Sequence, residues 1–170
     1  MDLTVRVLTP ADQPAWRNLR LEALAQFPEA FLMTHDEQRG RPAADDRAML
    51  AQGTWRGLYD GSDLVGMAAV LRQNYATARH RAELGALYVS LRLWGQGAAQ
   101  QFLDALEQEL RTKAALQIEL SVAVSNDRAI RFYERNGYTR FGIQPRAVIV
   151  DGVPTDDAFY VKLLDQDTHQ

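Results

Sequence analysis

The chain has 170 residues, 46% hydrophobic and 24% charged, which suits one globular domain spanning residues 1–170 with a sizeable core. It contains no cysteine, which excludes disulfides, thiolate nucleophiles and cysteine-based zinc sites and agrees with a cytoplasmic location. A formal net charge of −3 argues against general nucleic-acid binding, and no apolar run is long enough to span a membrane.

The N-terminal region predicts a strand followed by a helix. Residues 3–8 alternate enough to form a first strand. Thr9, Pro10 and Asp12 then mark a helix start, with Thr9 as the cap and Asp12 in the capping-box position. The helix is expected to end before Pro28, because proline cannot continue a helix.

The next region predicts irregular chain, a second helix and a hairpin. Residues 27–33 are apolar and irregular, and one interpretation is a turn that covers the core. Residues 39–42 predict a loop, and residues 43–52 predict a short helix. Asp60-Gly61 between two apolar runs predicts a hairpin turn.

The middle of the chain predicts a strand, a turn and a helix. Residues 82–89 are apolar apart from Glu83 and predict a largely buried strand. Gly95 and Gly97 follow it, and apolar residues recur at helical spacing from Ala99 onward. Glycine lets a ligand approach the backbone closely, and the free N–H groups of a helix start bind anions such as phosphate. The alternative is an ordinary helix start with incidental glycines.

The C-terminal region predicts a strand, a helix and a closing hairpin. Residues 116–124 alternate like a strand, and Asn126 caps a helix over residues 127–135. Gly137 stands where a left-handed helix end is expected, and Asp151-Gly152 is the hairpin turn. The order β-α-α-β-β-β-α-β-α-β-β predicts an α+β or mixed α/β sheet. The three histidines, His35, His80 and His169, lack ligand spacing, so we expect no metal site.

Two motifs resemble one known family. Residues 88–103 read Tyr-Val-x₅-Gly-x-Gly-x-Ala-x₂-Phe-Leu, which fits neither a dinucleotide fingerprint nor a P-loop. They resemble the coenzyme A loop of the GNAT superfamily of N-acetyltransferases. The family motif Gln/Arg-x-x-Gly-x-Gly/Ala falls on Trp94, Gly97 and Ala99, so Trp94 departs from it. Residues 126–138 match a second GNAT pattern, Asn-x-x-Ala-x-x-φ-Tyr-x-x-x-Gly-Phe/Tyr, where φ is apolar.

The resemblance implies a GNAT-like fold, a central mixed, mostly antiparallel sheet flanked by helices. Its fourth and fifth strands splay apart, and acetyl-CoA, the co-substrate, lies in the gap. Because Trp94 stands where the family motif has Gln or Arg, binding of the pyrophosphate by side chains is expected to be weaker, and Arg92 could compensate. The residues implied to bind the cofactor are Leu87, Tyr88, Val89, Arg92, Trp94, Gly95, Gln96, Gly97, Ala98, Ala99, Asn126 and Tyr133.

The resemblance also implies two catalytic residues. Tyr133 is the candidate acid for the departing thiolate, and its alternative role is core packing. Glu83 is the candidate base, acting through water. Its alternatives are a salt bridge with Arg79 or Arg81, or simple exposure at a strand end. A backbone N–H near Val89 is implied to polarise the acetyl carbonyl.

The implied function is direct transfer of an acetyl group from acetyl-CoA to a primary amine of a small molecule or protein N-terminus. The segment Phe27–Arg41 and the hairpin around Asp151 are expected to line the acceptor pocket. The alternatives are a non-catalytic acyl-CoA-binding or sensing domain, and an interaction domain that has lost cofactor binding. Protein N-termini, polyamines, amino acids and antibiotics all stay open as acceptors. The oligomeric state is also open, with a homodimer as one option.

Overall fold

Seven strands form one sheet in the order β1-β2-β3-β4-β5-β7-β6. The computed structural model describes residues 2–166, so His169 lies outside the described residues. The strands are β1 Leu3–Val7, β2 Trp55–Asp60, β3 Asp63–Arg72, β4 Arg81–Val89, β5 Gln117–Ala123, β6 Thr139–Val150 and β7 Val153–Leu163. The helices are α1 Gln13–Gln26, α2 His35–Gly40, α3 Ala43–Leu50, α4 Ala98–Thr112 and α5 Asp127–Arg135. Among the strands of the described residues, only β4 and β5 pair in parallel, so the predicted mixed, mostly antiparallel sheet is confirmed.

Helices cover both faces of the sheet. The apolar stripe of α4, which includes Phe102, Leu103 and Leu106, is fully buried against one face together with residues of α5. Trp16 of α1 packs with Trp55 in a second core cluster on the opposite face. Within residues 2–166, no helix is long and apolar enough to cross a membrane.

The loop predicted at residues 39–42 is wrong in part, because Arg39 and Gly40 belong to helix α2. Residues His35–Gly40 are helical, and only Arg41 and Pro42 connect α2 to α3. The Thr34 hydroxyl accepts a hydrogen bond from the Glu37 N–H, and the Glu37 carboxylate accepts one from the Thr34 N–H. This capping box satisfies two groups at the helix start, and it is a signal that the sequence contained and the prediction missed.

The sheet opens between β4 and β5. The two strands pair only where residues Arg81–Glu83 face Gln117–Glu119, and beyond this point they diverge. The predicted splay between the fourth and fifth strands is therefore confirmed. A β-bulge lies in the diverging part of β4, because Ala69 pairs with Gly85 while Met67 pairs with Tyr88.

A buried ion pair fixes α4 against β2. The Arg56 guanidinium donates to both carboxylate oxygens of Glu109, with the shortest distance 2.7 Å. Hydrogen bonds from Arg56 lower the pKa of Glu109 to about 2. Since this pKa is depressed in the folded state, the stabilisation is present above the usual glutamate pKa of about 4.3 and is lost as the pH falls toward 2.

We expect Glu109→Gln to lower the free energy of unfolding at pH 7 by about 2 kcal/mol, because it leaves Arg56 buried without its charged partner. Urea unfolding of both proteins at several pH values measures the effect. The difference should shrink steadily between about pH 4.3 and pH 2. A difference that does not depend on pH would contradict this role of the pair.

Candidate active site

The opening between β4 and β5 forms a cleft of about 130 Å³ that residues from both faces of the sheet line. From the face of α4 and α5 come Asn126, Ala129 and Tyr133. From the α1 side come Ala30 and Phe31, and the strands contribute the rest: Glu83, Leu84, Gly85, Ala86, Leu87, Ser121, Val122, Ala123 and Asp157. Residues from the two faces of the sheet therefore meet in this cleft.

The edge of β4 offers backbone groups to this cleft. The Ser90 N–H donates to the Val65 carbonyl of β3 at 2.8 Å. Because successive residues of a strand point their backbone groups to opposite sides, the N–H and carbonyl of Val89 point away from β3. Ala86 has a positive φ of 50°, unusual for alanine, at the bulge where β4 turns away from β5.

The turn that leads from β4 into α4 is open. Gly95 and Gly97 have φ values of 75° and 79°, a region that glycine adopts without strain. Among residues 2–166, no atom outside the glycine and its chain neighbours lies within 4 Å of a Cβ added at either glycine. Helix α4 begins at Ala98, whose side chain is buried while the first N–H groups of the helix have no intrahelical partner. The predicted strand–turn–helix is confirmed, and its geometry suits an anion.

Trp94 lies at the start of this turn, and its ring contacts both an aromatic ring and a guanidinium. Its indole Nε1 donates to the Val89 carbonyl at 2.9 Å. Phe27 stacks on one side, with ring centroids 5.7 Å apart and an interplanar angle of 23°. The guanidinium carbon of Arg128 lies 3.3 Å from the ring centroid. Trp94 therefore ties the end of α1 and the start of α5 to the edge of β4.

Three other residues predicted at the cofactor site direct their side chains elsewhere. The Arg92 guanidinium donates to Asp63 at 3.3 Å, in an exposed pair. The Gln96 amide donates to the Arg92 carbonyl at 2.9 Å. The Tyr88 hydroxyl donates to Glu22 of α1 at 2.7 Å. In this arrangement these three residues can contribute only backbone groups at the turn and at the β4 edge.

Asn126 and Tyr133 stand together on α5 and face the cleft. The Asn126 side-chain oxygen accepts a hydrogen bond from the Ala129 N–H at 3.1 Å, which confirms its capping role and leaves its amide donors available. The Tyr133 ring is buried and packs edge-on against Phe132 and Tyr138. Burial raises the pKa of Tyr133, and its hydroxyl forms no hydrogen bond within residues 2–166.

Two carboxylates, Glu83 and Asp157, line the cleft. Glu83 is exposed rather than buried, and Arg81 pairs with Glu119 at 2.6 Å instead of with Glu83. Asp157 was not predicted as a site residue, because its place at the cleft depends on how β7 pairs with β5. Within residues 2–166, its buried Oδ1 has no hydrogen-bond partner. Burial raises the pKa of Asp157, and the Ser121 hydroxyl lowers it by less.

The segment predicted to line the acceptor pocket reaches the cleft through Ala30 and Phe31. The hairpin around Asp151 reaches it through Asp157 of β7, not through Asp151 itself. Arg20 lies behind Phe31, with its guanidinium carbon 4.6 Å from the ring centroid. Burial lowers the pKa of Arg20 to about 10. Within the described part of the chain, no group of three or more His, Cys, Asp or Glu residues could hold a metal ion.

Comparison with known proteins agrees with this geometry. The model of the acetyltransferase (GNAT) family matches residues 16–138. Among solved structures, yncA of Salmonella typhimurium, determined with its cofactor acetyl-CoA, superposes with a TM-score of 0.81 at 18% identity over 100% of this chain and 98% of that one. No curated protein matches the chain in sequence.

Two further solved structures share the fold and differ in the acceptor that their names state. The ribosomal-protein-alanine N-acetyltransferase of Brucella melitensis has a TM-score of 0.73 at 20% identity, over 94% of this chain and 99% of that one. A spermidine N-acetyltransferase chimera of the Vibrio cholerae and hSSAT proteins has a TM-score of 0.77 at 21% identity, over 96% of each chain. At these identities the likeness extends to the fold alone.

Proposed function

The chain belongs to the GNAT family of acetyltransferases, and on that premise we propose that it transfers an acetyl group from acetyl-CoA directly to a primary amine of a small molecule or a protein N-terminus. Acetyl-CoA, the co-substrate of the family, supplies the acetyl group as a thioester. The observation that carries the proposal is the cleft between β4 and β5, which Tyr133 and Glu83 line, together with the open glycine turn that follows β4.

The open turn and the free edge of β4 support binding of coenzyme A here. The phosphates fit the turn at Gly95 and Gly97, where a side chain would otherwise occupy the space and where the N–H groups of α4 point outward. The Val89 N–H is the proposed donor for the acetyl carbonyl, because it points away from β3. The Asn126 amide donors add a side-chain contact next to the same edge.

Tyr133 and Glu83 give the cleft a donor and an acceptor of protons. A tyrosine hydroxyl is protonated at neutral pH even at its ordinary pKa of about 10, so Tyr133, whose pKa burial raises further, has a proton to donate to the departing sulfur. Glu83 is exposed at the cleft and accepts the proton of the acceptor amine through water. Asp157, whose buried Oδ1 has no hydrogen-bond partner among residues 2–166, holds the acceptor's ammonium group beside Glu83 in this proposal.

An acceptor assay tests this function. The protein is incubated with acetyl-CoA and spermidine, an alanine-initiated peptide or a free amino acid, and release of coenzyme A thiol is followed. Amine-dependent release is expected with at least one acceptor. Binding of coenzyme A with no amine-dependent release would favour the non-catalytic acyl-CoA-binding domain.

Phe31→Ala tests the placement of the acceptor. We expect it to raise the acceptor KM by about 10-fold, because Phe31 forms an apolar wall of the cleft worth roughly 1–2 kcal/mol of contact. The affinity for acetyl-CoA, measured by calorimetry, should stay within about twofold.

Phe31→Leu is the matched control, because it keeps apolar bulk and should lose less acceptor affinity than Phe31→Ala. Both variants remove the cation–π contact between Phe31 and Arg20. A loss of stability that both variants share is therefore attributed to that contact. Equal loss of acceptor and acetyl-CoA affinity in Phe31→Ala would assign Phe31 to core packing.

A further inference from the structure

One of the side chains that contact the Trp94 ring, Arg128, is positively charged. Arg128, in the first turn of α5, lies over the Trp94 ring, which also stacks with Phe27. The guanidinium carbon is 3.3 Å from the ring centroid, a close cation–π contact. Since Trp94 immediately precedes Gly95, this places a positive charge beside the open turn.

The positive charge of Arg128 is available to bind a ligand. Its side chain is exposed, and within residues 2–166 it forms no ion pair, so the contact with Trp94 is what holds it. A guanidinium that stacks through its flat face keeps its N–H donors free at the edge. Arg92, the other arginine near the turn, is already paired with Asp63 at 3.3 Å.

We propose that Arg128, held in place by Trp94, is the cation that binds the coenzyme A phosphates at the turn of Trp94 to Ala99. In this chain the motif position that would carry Gln or Arg instead carries an aromatic platform, and the cation comes from α5. Arg128 is then a binding residue and Trp94 is its positioning residue. The inference rests on the proposed binding of coenzyme A at this turn.

Three interactions at this turn favour binding of the coenzyme A phosphates. Backbone N–H groups at the start of α4 attract an anion, and the helix dipole adds to them. A guanidinium binds phosphate oxygens through two parallel hydrogen bonds, which are stronger than neutral ones. The stack fixes the long side chain before the ligand arrives, so less conformational freedom is lost on binding.

Calorimetry with coenzyme A and with pantetheine, which has the same thiol arm without phosphates, tests the proposal. Arg128→Gln is expected to weaken coenzyme A binding by roughly 10- to 100-fold, as for loss of a charged hydrogen bond. Pantetheine binding should change by less than about twofold. Arg135→Gln, which removes the same charge about 10 Å further along α5, is the control and should bind coenzyme A as the unchanged protein does.

Trp94→Leu separates positioning from direct binding. If Trp94 acts by holding Arg128, Trp94→Leu weakens coenzyme A binding, and the double variant is hardly weaker than either single one. Fully additive losses would overturn the positioning role.

Coenzyme A affinity that is unchanged in Arg128→Gln, or an equal loss for pantetheine, would overturn the role of Arg128 while leaving the proposed function intact. Absence of coenzyme A binding by the unchanged protein would overturn the proposed function, and this inference with it.

Discussion

Tyr133→Phe is expected to lower turnover by roughly 10²- to 10⁴-fold, the range for loss of a general acid. The ring of Tyr133 is buried against Phe132 and Tyr138, and phenylalanine keeps those contacts. The hydroxyl lies at the cleft without a hydrogen-bond partner among residues 2–166, so its removal leaves no buried group unpaired. Acetyl-CoA affinity and melting temperature should therefore change little.

Tyr138→Phe is the matched control for this variant. Its hydroxyl donates to Glu107 at 3.2 Å, away from the cleft. Removing it should lower stability by about 1 kcal/mol and leave turnover within about threefold. Steady-state kinetics on both variants, with chemistry shown to limit the rate, makes the comparison. Near-normal turnover in Tyr133→Phe would assign Tyr133 to packing and the acid's role to water or another residue.

Gly97→Glu is expected to abolish coenzyme A binding in calorimetry. Gly97 immediately precedes α4, and a Cβ there points into open space at the turn. A carboxylate in that space would repel the phosphates and compete for the N–H groups that bind them. The positive φ of 79° adds backbone strain of about 1 kcal/mol for any residue other than glycine.

Gly53→Glu reproduces the strain and the charge away from the cleft. Gly53 has a φ of 70°, and a Cβ there also meets nothing within 4 Å. Its variant should lose similar stability and keep full coenzyme A affinity. If the two variants bind coenzyme A equally well while folded, the phosphates do not lie at the turn of Gly95 to Ala99.

The parts of the site that are local in sequence could be predicted. Gly95 and Gly97 signal a turn because they lack a Cβ, and the apolar period after them signals a helix. Asn126 signals a helix cap because its side chain suits the first free N–H groups. These signals depend on neighbours within a few residues, so they do not require the fold to be known.

The parts that depend on pairing between distant segments could not be predicted. The positive φ of Ala86 arises because β4 has one residue more than the facing part of β3. The sequence shows that Trp94 replaces the usual Gln or Arg, but not that Phe27 and Arg128 cover its ring. Asp156 and Asp157 look alike in sequence, and the register of β7 with β5 decides which one faces the cleft.

The sequence left open whether Glu83 is paired or exposed at the strand end, and the structure shows it exposed. A single acid in an apolar strand suggests a buried, paired carboxylate when both neighbours on the sheet are assumed to be present. Here β4 and β5 separate just past Glu83, so its side chain stays exposed at the cleft. Its role as the base through water stays a prediction that Glu83→Gln can test.

The central claim is transfer of the acetyl group from acetyl-CoA to an amine. Mass spectrometry of the amine acceptors after incubation with isotopically labelled acetyl-CoA tests it most directly. We expect the labelled acetyl group on the primary amine of at least one acceptor, at a rate that Tyr133→Phe reduces by at least about 10²-fold. Tight binding of acetyl-CoA with no labelled amine among polyamines, amino acids and protein N-termini would contradict it.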